Sequence, residues 1–120
     1  MATGRYGAWT EVDLEAGGKQ VSRLHVPHAT TRSAYGVVDI PLIVIQNGAG
    51  PSVLLMAGNH GDEYEGQVVL GDLVRQLQPE DIQGRVIIMP AANLPAAMAG
   101  TRVSPLDGGR SEERRVGKEC

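Results

Sequence analysis

A chain of 120 residues fits one small domain or part of a larger one, and 42% hydrophobic residues suffice for a buried core. With one Trp, three Tyr and no Phe, that core must be built from aliphatic side chains. A formal charge of −3 argues against partners such as nucleic acid or an anionic membrane surface, and no apolar stretch is as long as a membrane span. The first residues lack the apolar segment of a signal peptide, so we expect a cytoplasmic protein.

The first half of the chain predicts antiparallel strands. Residues 1–18 are polar and rich in glycine, which indicates an irregular or weakly paired lead-in. Residues 19–26 alternate between apolar and polar side chains, as an edge or antiparallel strand does, and Pro27 ends the alternation. Residues 37–46 are rich in β-branched side chains and predict a second strand. Pro41 within it indicates a bulge or a sheet edge, because proline has no N–H to donate to the ladder.

The second half predicts a strand, a helix and another strand. Residues 52–57 are a short continuous apolar run, typical of a strand buried on both faces, and residues 85–89 repeat that pattern. Between them, residues 64–77 show helical spacing. The predicted apolar stripe of this helix consists of Val69, Leu70, Leu73, Val74 and Leu77. Such a crossover makes its two strands parallel, and residues 94–98 predict a short further helix. The predicted fold class is therefore α/β, a mixed β-sheet flanked by helices.

The segment between the first apolar run and the helix carries most of the information about function. His60 and Glu63 are three residues apart, so a tight loop or one helical turn points both side chains the same way. An imidazole nitrogen and a carboxylate oxygen are two of the three protein ligands in a His₂Glu catalytic zinc site. Gly58 and Gly61 lie on either side of His60 and allow the backbone to bend sharply there.

The position of this motif at a strand end predicts a site shared with the next strand. Ligands of open α/β sheets gather at the carboxyl ends of the parallel strands. Arg102 follows the second parallel strand and is expected to face the same crevice as His60 and Glu63. His25 and His28 are also three residues apart, but we interpret them as residues of a partly exposed strand end rather than as metal ligands.

Four other polar residues fit structural roles. Asp62 and Glu65 fall at the predicted start of the helix, where carboxylates interact favourably with the helix dipole. Asn93 and Asp107 are typical of turns. A position in the wall of the site remains open for Asp107.

In three stretches the chain resembles the succinylglutamate desuccinylase/aspartoacylase family of zinc hydrolases, which is related to the zinc carboxypeptidases. The stretches are GNHGDE at residues 58–63, GRVIIMPAAN at residues 84–93 and AGTRVSPLDGG at residues 99–109. The similarity covers most of residues 19–109. Within the family, residues 63–66 and 104–109 look most like the branch that deacetylates N-acetyl-2,4-diaminobutyrate in ectoine degradation. The resemblance implies the N-terminal part of a zinc-carboxypeptidase-like sheet.

The same resemblance implies roles for three residues and an activity for the intact protein. His60 and Glu63 would bind one zinc ion, and Arg102 would contact the substrate or its polarised carbonyl, which makes it both catalytic and substrate-binding. The implied reaction is hydrolysis of the amide bond of a small N-acyl amino acid. Two alternatives are a carboxypeptidase-like peptide hydrolase with the same metal pair and a non-catalytic metal-binding domain.

The chain departs from the family pattern after Gly109. The family has an Asn-Arg pair for the substrate carboxylate shortly after this position, and a second zinc histidine and a glutamate general base far downstream. None of them occurs at the matching place here, so we interpret residues 1–109 as an incomplete N-terminal portion of the catalytic domain that is inactive alone.

Residues 110–120 differ in composition from everything before them. Their sequence, RSEERRVGKEC, is the in-frame translation of a common sequencing adapter, and we predict a non-native tail, with a solvated charged helix as the alternative. Without this segment the chain has seven basic and eleven acidic residues, a formal charge of −4. It would also have no cysteine, because Cys120 is the only one.

Overall fold

The structure is a computed structural model that describes residues 2–3, 7–28 and 36–106. These residues form one mixed sheet with the strand order β1-β2-β3-β4-β6-β5. The strands are β1 (Ala2–Thr3), β2 (Trp9–Thr10), β3 (Gly18–Pro27), β4 (Val37–Asn47), β5 (Ser52–Met56) and β6 (Gly84–Met89). The helices are α1 (Tyr64–Gln76) and α2 (Leu94–Ala99), with one 3₁₀ turn at Pro79–Asp81. The predicted α/β class is confirmed; Asp107 and the predicted tail lie outside the described residues.

The antiparallel half of the sheet is dominated by β3 and β4. The two strands pair along the whole of β3, from Gly18 opposite Gln46 to Pro27 opposite Val37. Pro41 stays in register without a bulge, and β6 pairs with β4 only between Ile43 and Asn47. Among the described residues nothing pairs with the other side of β4 at Pro41, so its missing N–H interrupts no ladder there.

The β5–α1–β6 unit follows the prediction, since β5 and β6 are parallel neighbours. Lys19 of β3 donates from its Nζ to the carbonyl oxygens of Val74 and Leu77, the latter at 2.8 Å. A cation at the carboxyl end of a helix satisfies otherwise unpaired carbonyls and complements the helix dipole. This contact joins the end of α1 to the antiparallel half of the sheet. No described helix is long and apolar enough to cross a membrane.

The core lies between α1 and the centre of the sheet. Ile43 and Ile45 of β4 and Ile88 of β6 are almost fully buried. The side chains that pack against them from α1 and the segment after it are Leu70, Leu73, Val74, Leu77 and Ile82. Val69, which the sequence assigned to the same stripe, is 62% exposed. That assignment is wrong. Successive residues of a helix are rotated by about 100° around its axis, so Val69 lies at the margin of the stripe, away from the side that Leu70 and Val74 share.

The prediction that residues 52–57 are buried on both faces is also wrong. They form a strand, but β5 is at the edge of the described sheet, where Leu54 is 56% and Met56 48% exposed. A continuous apolar run is buried on both faces only when further elements cover the strand. Among the described residues, β6 is the one strand paired with β5, so its outer face and outer edge remain open.

Candidate functional site

The site is built on the loop between β5 and α1, residues 57–63, which we call the site loop. Gly58 has a φ of +73°, a conformation that glycine adopts without strain, and it turns the chain away from the sheet. The loop after β6 runs beside it and is hydrogen-bonded to it. The N–H of Ala92 donates to the oxygen of Ala57 at 2.9 Å, and that of Asn93 to Gly58 at 3.0 Å. Backbone hydrogen bonds therefore hold the site loop and the loop after β6 together.

Gly61 serves close packing rather than an unusual backbone conformation. A Cβ placed on Gly61 would lie well within 3.0 Å of the carbonyl of Ala96 and the nitrogen of Ala97. Ala96 itself is completely buried. The site loop thus lies directly against the backbone of α2, a contact that only glycine permits.

His60 and Glu63 are joined by a turn in which the N–H of Glu63 donates to the carbonyl of His60 at 3.2 Å. His60 is 8% exposed, whereas 59% of the Glu63 side chain is accessible to solvent. Glu63 is also the N-cap residue of α1, and its side chain makes no capping hydrogen bond. One candidate ligand is therefore recessed, and the other is at the surface.

Arg102, in the segment after α2, contacts both candidate ligands; its strand-end position predicted a shared crevice but neither contact. Its Nη1 lies 3.4 Å from Oε1 of Glu63, and its carbonyl oxygen lies 3.4 Å from Nδ1 of His60. The ion pair with Glu63 is more than half exposed on both sides. Exposed pairs of this kind contribute about 0–1 kcal/mol, so the guanidinium is readily transferred to another anion.

Side-chain amides support the site loop from two sides. Gln67 of α1 donates to the carbonyl oxygens of Gly61 at 3.3 Å and Glu63 at 3.1 Å. Asn93, at the start of α2, donates to the carbonyl oxygen of Asn59 at 3.3 Å. Sequence reasoning assigned neither contact. The signal for Gln67 was a polar residue three positions before Leu70 and seven before Val74, on the inward side of the helix.

The donor set fits part of a zinc site. An imidazole and a carboxylate on one turn match the types of two of the three ligands in a His₂Glu centre. No group of three or more His, Cys, Asp or Glu that could hold a metal occurs within residues 2–3, 7–28 and 36–106.

His25 is removed from this site and belongs to a polar cluster in the antiparallel half of the sheet. Its Nδ1 is 2.6 Å from Asp39 and its Nε2 is 2.7 Å from Glu11, and its ring stacks on that of Trp9 with centroids 4.9 Å apart. These contacts occupy both ring nitrogens in structural bonds. His28 lies elsewhere, in the wall of a largely apolar recess of about 350 Å³.

The His25 cluster predicts a pH-dependent stability. The bonds to Asp39 and then Glu11 raise the pKa of the His25 imidazole above its ordinary 6.5, and the bond to His25 lowers the pKa of Glu11 below 4.5. The contribution of His25 to folding stability is therefore fully present below about pH 6.5 and is lost as the pH rises through its raised pKa. The contribution of Glu11 to folding stability is fully present above about pH 4.5 and is lost as the pH falls through its lowered pKa.

We expect the intact protein to have a higher free energy of unfolding than its His25→Gln variant, with the largest difference between about pH 4.5 and pH 6.5. Urea unfolding of both proteins at a series of pH values up to about pH 9 measures that difference. A difference that stays constant over the whole series would show that the charge of His25 does not stabilise the cluster.

Comparison with known proteins gives a consistent result. Residues 49–112, slightly more than half of the chain, match the family model described as the succinylglutamate desuccinylase/aspartoacylase catalytic domain. The chain is 53% identical over 98 residues to the N-alpha-acetyl-L-2,4-diaminobutyric acid deacetylase of Halomonas elongata, a match that covers 82% of this chain and 29% of that protein.

Several solved structures are similar to this chain in both sequence and fold. The succinylglutamate desuccinylase/aspartoacylase of Rhodobacter sphaeroides is 47% identical with a TM-score of 0.81. The product-bound ectoine utilization protein EutE (DoeB) of Ruegeria pomeroyi is 49% identical with a TM-score of 0.82. Each match covers 85% of this chain and 31% of the other. The chain thus spans less than a third of the length of these relatives.

Proposed function

The chain belongs to the succinylglutamate desuccinylase/aspartoacylase family, and from this we propose that the intact protein is a zinc-dependent hydrolase of N-acyl amino acids. The cluster of Arg102, His60 and Glu63 carries the proposal. The Arg102 guanidinium pairs with the Glu63 carboxylate, and the Arg102 backbone carbonyl lies 3.4 Å from Nδ1 of His60, so a cation and two metal-type donors lie together at neighbouring strand ends. A guanidinium can bind a carboxylate and a bound metal can polarise a neighbouring carbonyl, so this combination suits an N-acyl amino acid. The cytoplasmic location stays a prediction from the sequence.

N-acetyl-2,4-diaminobutyrate is the proposed substrate. The relative from Halomonas elongata is named for deacetylation of the N-alpha-acetyl form of this amino acid, and a second relative is named for ectoine utilization. Identities of 53% and 49% to these two proteins support the same substrate for the intact protein.

His60 and Glu63 would hold the zinc ion, together with a histidine that lies beyond this chain. When bound, the ion supplies Lewis-acid polarisation of the acyl carbonyl and lowers the pKa of a water molecule. The recessed His60 ring provides a donor held inside the loop, whereas the Glu63 carboxylate is exposed and pairs with Arg102 through Oε1.

Arg102 would then bind the substrate carboxylate or stabilise the negative charge that develops on the carbonyl oxygen. In the reaction, water adds to the acyl carbon, the C–N bond breaks, and the leaving amine takes up a proton. A glutamate beyond this chain would remove the proton from water and return it to the amine. The role of Arg102 is charge complementarity, for which its planar donors are suited.

We propose that residues 1–109 are an incomplete portion of the catalytic domain and that residues 110–120 are not native. Two candidate ligands would leave zinc loosely held, and the open outer face of β5 exposes apolar side chains. The 120-residue chain alone is therefore expected to show no turnover.

The test is an assay of the intact protein with N-acetyl-2,4-diaminobutyrate before and after removal of metal by a chelator. We expect acetate release that disappears on chelation and returns with zinc, and none from the 120-residue chain. Activity that survives complete metal removal would contradict the zinc mechanism.

Two further substrates separate the alternative functions. A peptide with a free C-terminal carboxylate tests the carboxypeptidase-like reading, because that activity would cleave the peptide and leave the N-acetyl amino acid intact. Tight zinc binding without turnover of either substrate would identify a non-catalytic metal-binding domain.

A further inference from the structure

Gln67 occupies a place on α1 where an apolar side chain is expected. It lies on the inward side of the helix with Leu70 and Val74, and it is half-buried. Its neighbours on either side in the sequence, Gly66 and Val68, are exposed. A polar side chain in such a position costs desolvation energy unless its hydrogen bonds are made within the protein.

The hydrogen bonds of Gln67 are directed to the loop that carries the candidate zinc ligands. Its Nε2 donates to the carbonyl oxygen of Gly61 at 3.3 Å and to that of Glu63 at 3.1 Å. One side-chain amide thus joins the residue after His60 to Glu63 itself. The first carbonyl lies in the Gly61–Asp62 peptide plane and the second in the Glu63–Tyr64 plane. Together with the bond from the Glu63 N–H to the carbonyl of His60, they hold the backbone on both sides of the Glu63 Cα, and with it the direction in which the side chain leaves the backbone.

The rest of the loop is already held by other contacts. Asn93 holds the carbonyl of Asn59, and the packing of Gly61 against Ala96 fixes the middle of the loop. Within the described part of the chain, the side chain that donates to the backbone oxygen of Glu63 is that of Gln67. Loss of its amide would leave the loop against α2 and the turn from His60 to Glu63 in place, but it would remove the side-chain link between the carbonyls of Gly61 and Glu63.

We propose that Gln67 is a positioning residue for metal binding, which sets the orientation of the Glu63 carboxylate through the carbonyls of Gly61 and Glu63. This inference rests on the proposed function, since it assigns Gln67 to the same zinc site. Residues that orient metal ligands typically change metal affinity by about 10–100-fold when they are replaced.

The experiment compares the intact protein with its Gln67→Met and Gln67→Glu variants. Methionine keeps the length and packing of the side chain without its donors, and glutamate replaces the donor by an oxygen that faces two carbonyl oxygens. Gln76→Met is the matched control, because Gln76 is an exposed glutamine in the last turn of the same helix. The measurements are the zinc Kd by chelator competition, the visible spectrum of the cobalt-substituted protein, and the Tm of the metal-free protein.

We expect Gln67→Met to raise the zinc Kd about tenfold and to alter the cobalt spectrum, while the Tm of the metal-free protein stays within a few degrees. Gln67→Glu should weaken zinc binding further, and Gln76→Met should match the wild type in all three measurements.

The zinc Kd of the wild type and that of Gln67→Met distinguish failure of the positioning role from failure of the proposed function. If the wild type binds zinc tightly and Gln67→Met has the same Kd and cobalt spectrum, the positioning role is wrong and the proposed function stands. If the wild type binds no stoichiometric zinc, the proposed function fails first and the inference about Gln67 fails with it.

Discussion

His60→Ala is expected to abolish stoichiometric zinc binding by the intact protein and to lower kcat/KM for N-acetyl-2,4-diaminobutyrate at least about a thousandfold. The imidazole of His60 is the recessed member of the candidate ligand pair, at 8% exposure, and alanine puts no donor in its place. A thousandfold loss corresponds to about 4 kcal/mol of transition-state stabilisation, which is within the range that a bound metal supplies.

The matched control is His25→Gln, which removes a histidine that bonds to Glu11 and Asp39 instead of facing the site. Metal content by atomic spectroscopy and steady-state kinetics are measured on both variants. The control should keep one zinc per subunit and its kcat/KM. If His60→Ala retained its zinc and most of its activity, the assignment of His60 as a ligand would be wrong.

Gly61→Ala is expected to lower kcat/KM about a hundredfold and to destabilise the protein by about 1–3 kcal/mol. The added Cβ would overlap the carbonyl of Ala96 and the nitrogen of Ala97. These are backbone atoms of α2, so they cannot rotate away as the end of a flexible side chain does. The site loop must therefore move from α2, and a displacement of about 1 Å at a catalytic group costs about a hundredfold in rate.

Gly71→Ala is the control for this substitution. A Cβ on Gly71, in the middle of α1, meets nothing within 4 Å, and alanine is favoured over glycine in a helix interior by about 0.5–1 kcal/mol. Urea unfolding and kinetics of both variants should show a neutral or more stable Gly71→Ala beside an impaired Gly61→Ala. Equal behaviour of the two would show that the loop is not fixed against α2.

Local patterns were sufficient for most elements of the fold. The alternation in residues 19–26 and the apolar run in residues 85–89 predicted β3 and β6 within about two residues, because each pattern reflects the periodicity of a strand. The helical spacing of residues 64–77 likewise predicted α1. Burial was less predictable: the pattern of β5 is that of a covered strand, and whether it is covered depends on elements distant in the sequence.

Some features of the candidate site were likewise predictable from the sequence, and others were not. Spacing alone put His60 and Glu63 on one turn, and the order of strand, helix and strand put Arg102 at the neighbouring strand end. The sequence also explained Gly58, whose positive φ makes a bend at the strand end. The sequence attributed Gly61 to the same bend, whereas the structure assigns it to contact with α2.

By itself, the sequence determined the strands, the helices and the pair of candidate metal ligands, since these depend on side chains a few positions apart. Only the tertiary structure decided that Arg102 pairs with Glu63 and that Gly61 lies against Ala96. Contacts across many residues are set by how β5, β6 and α2 pack on one another. No local periodicity encodes that packing.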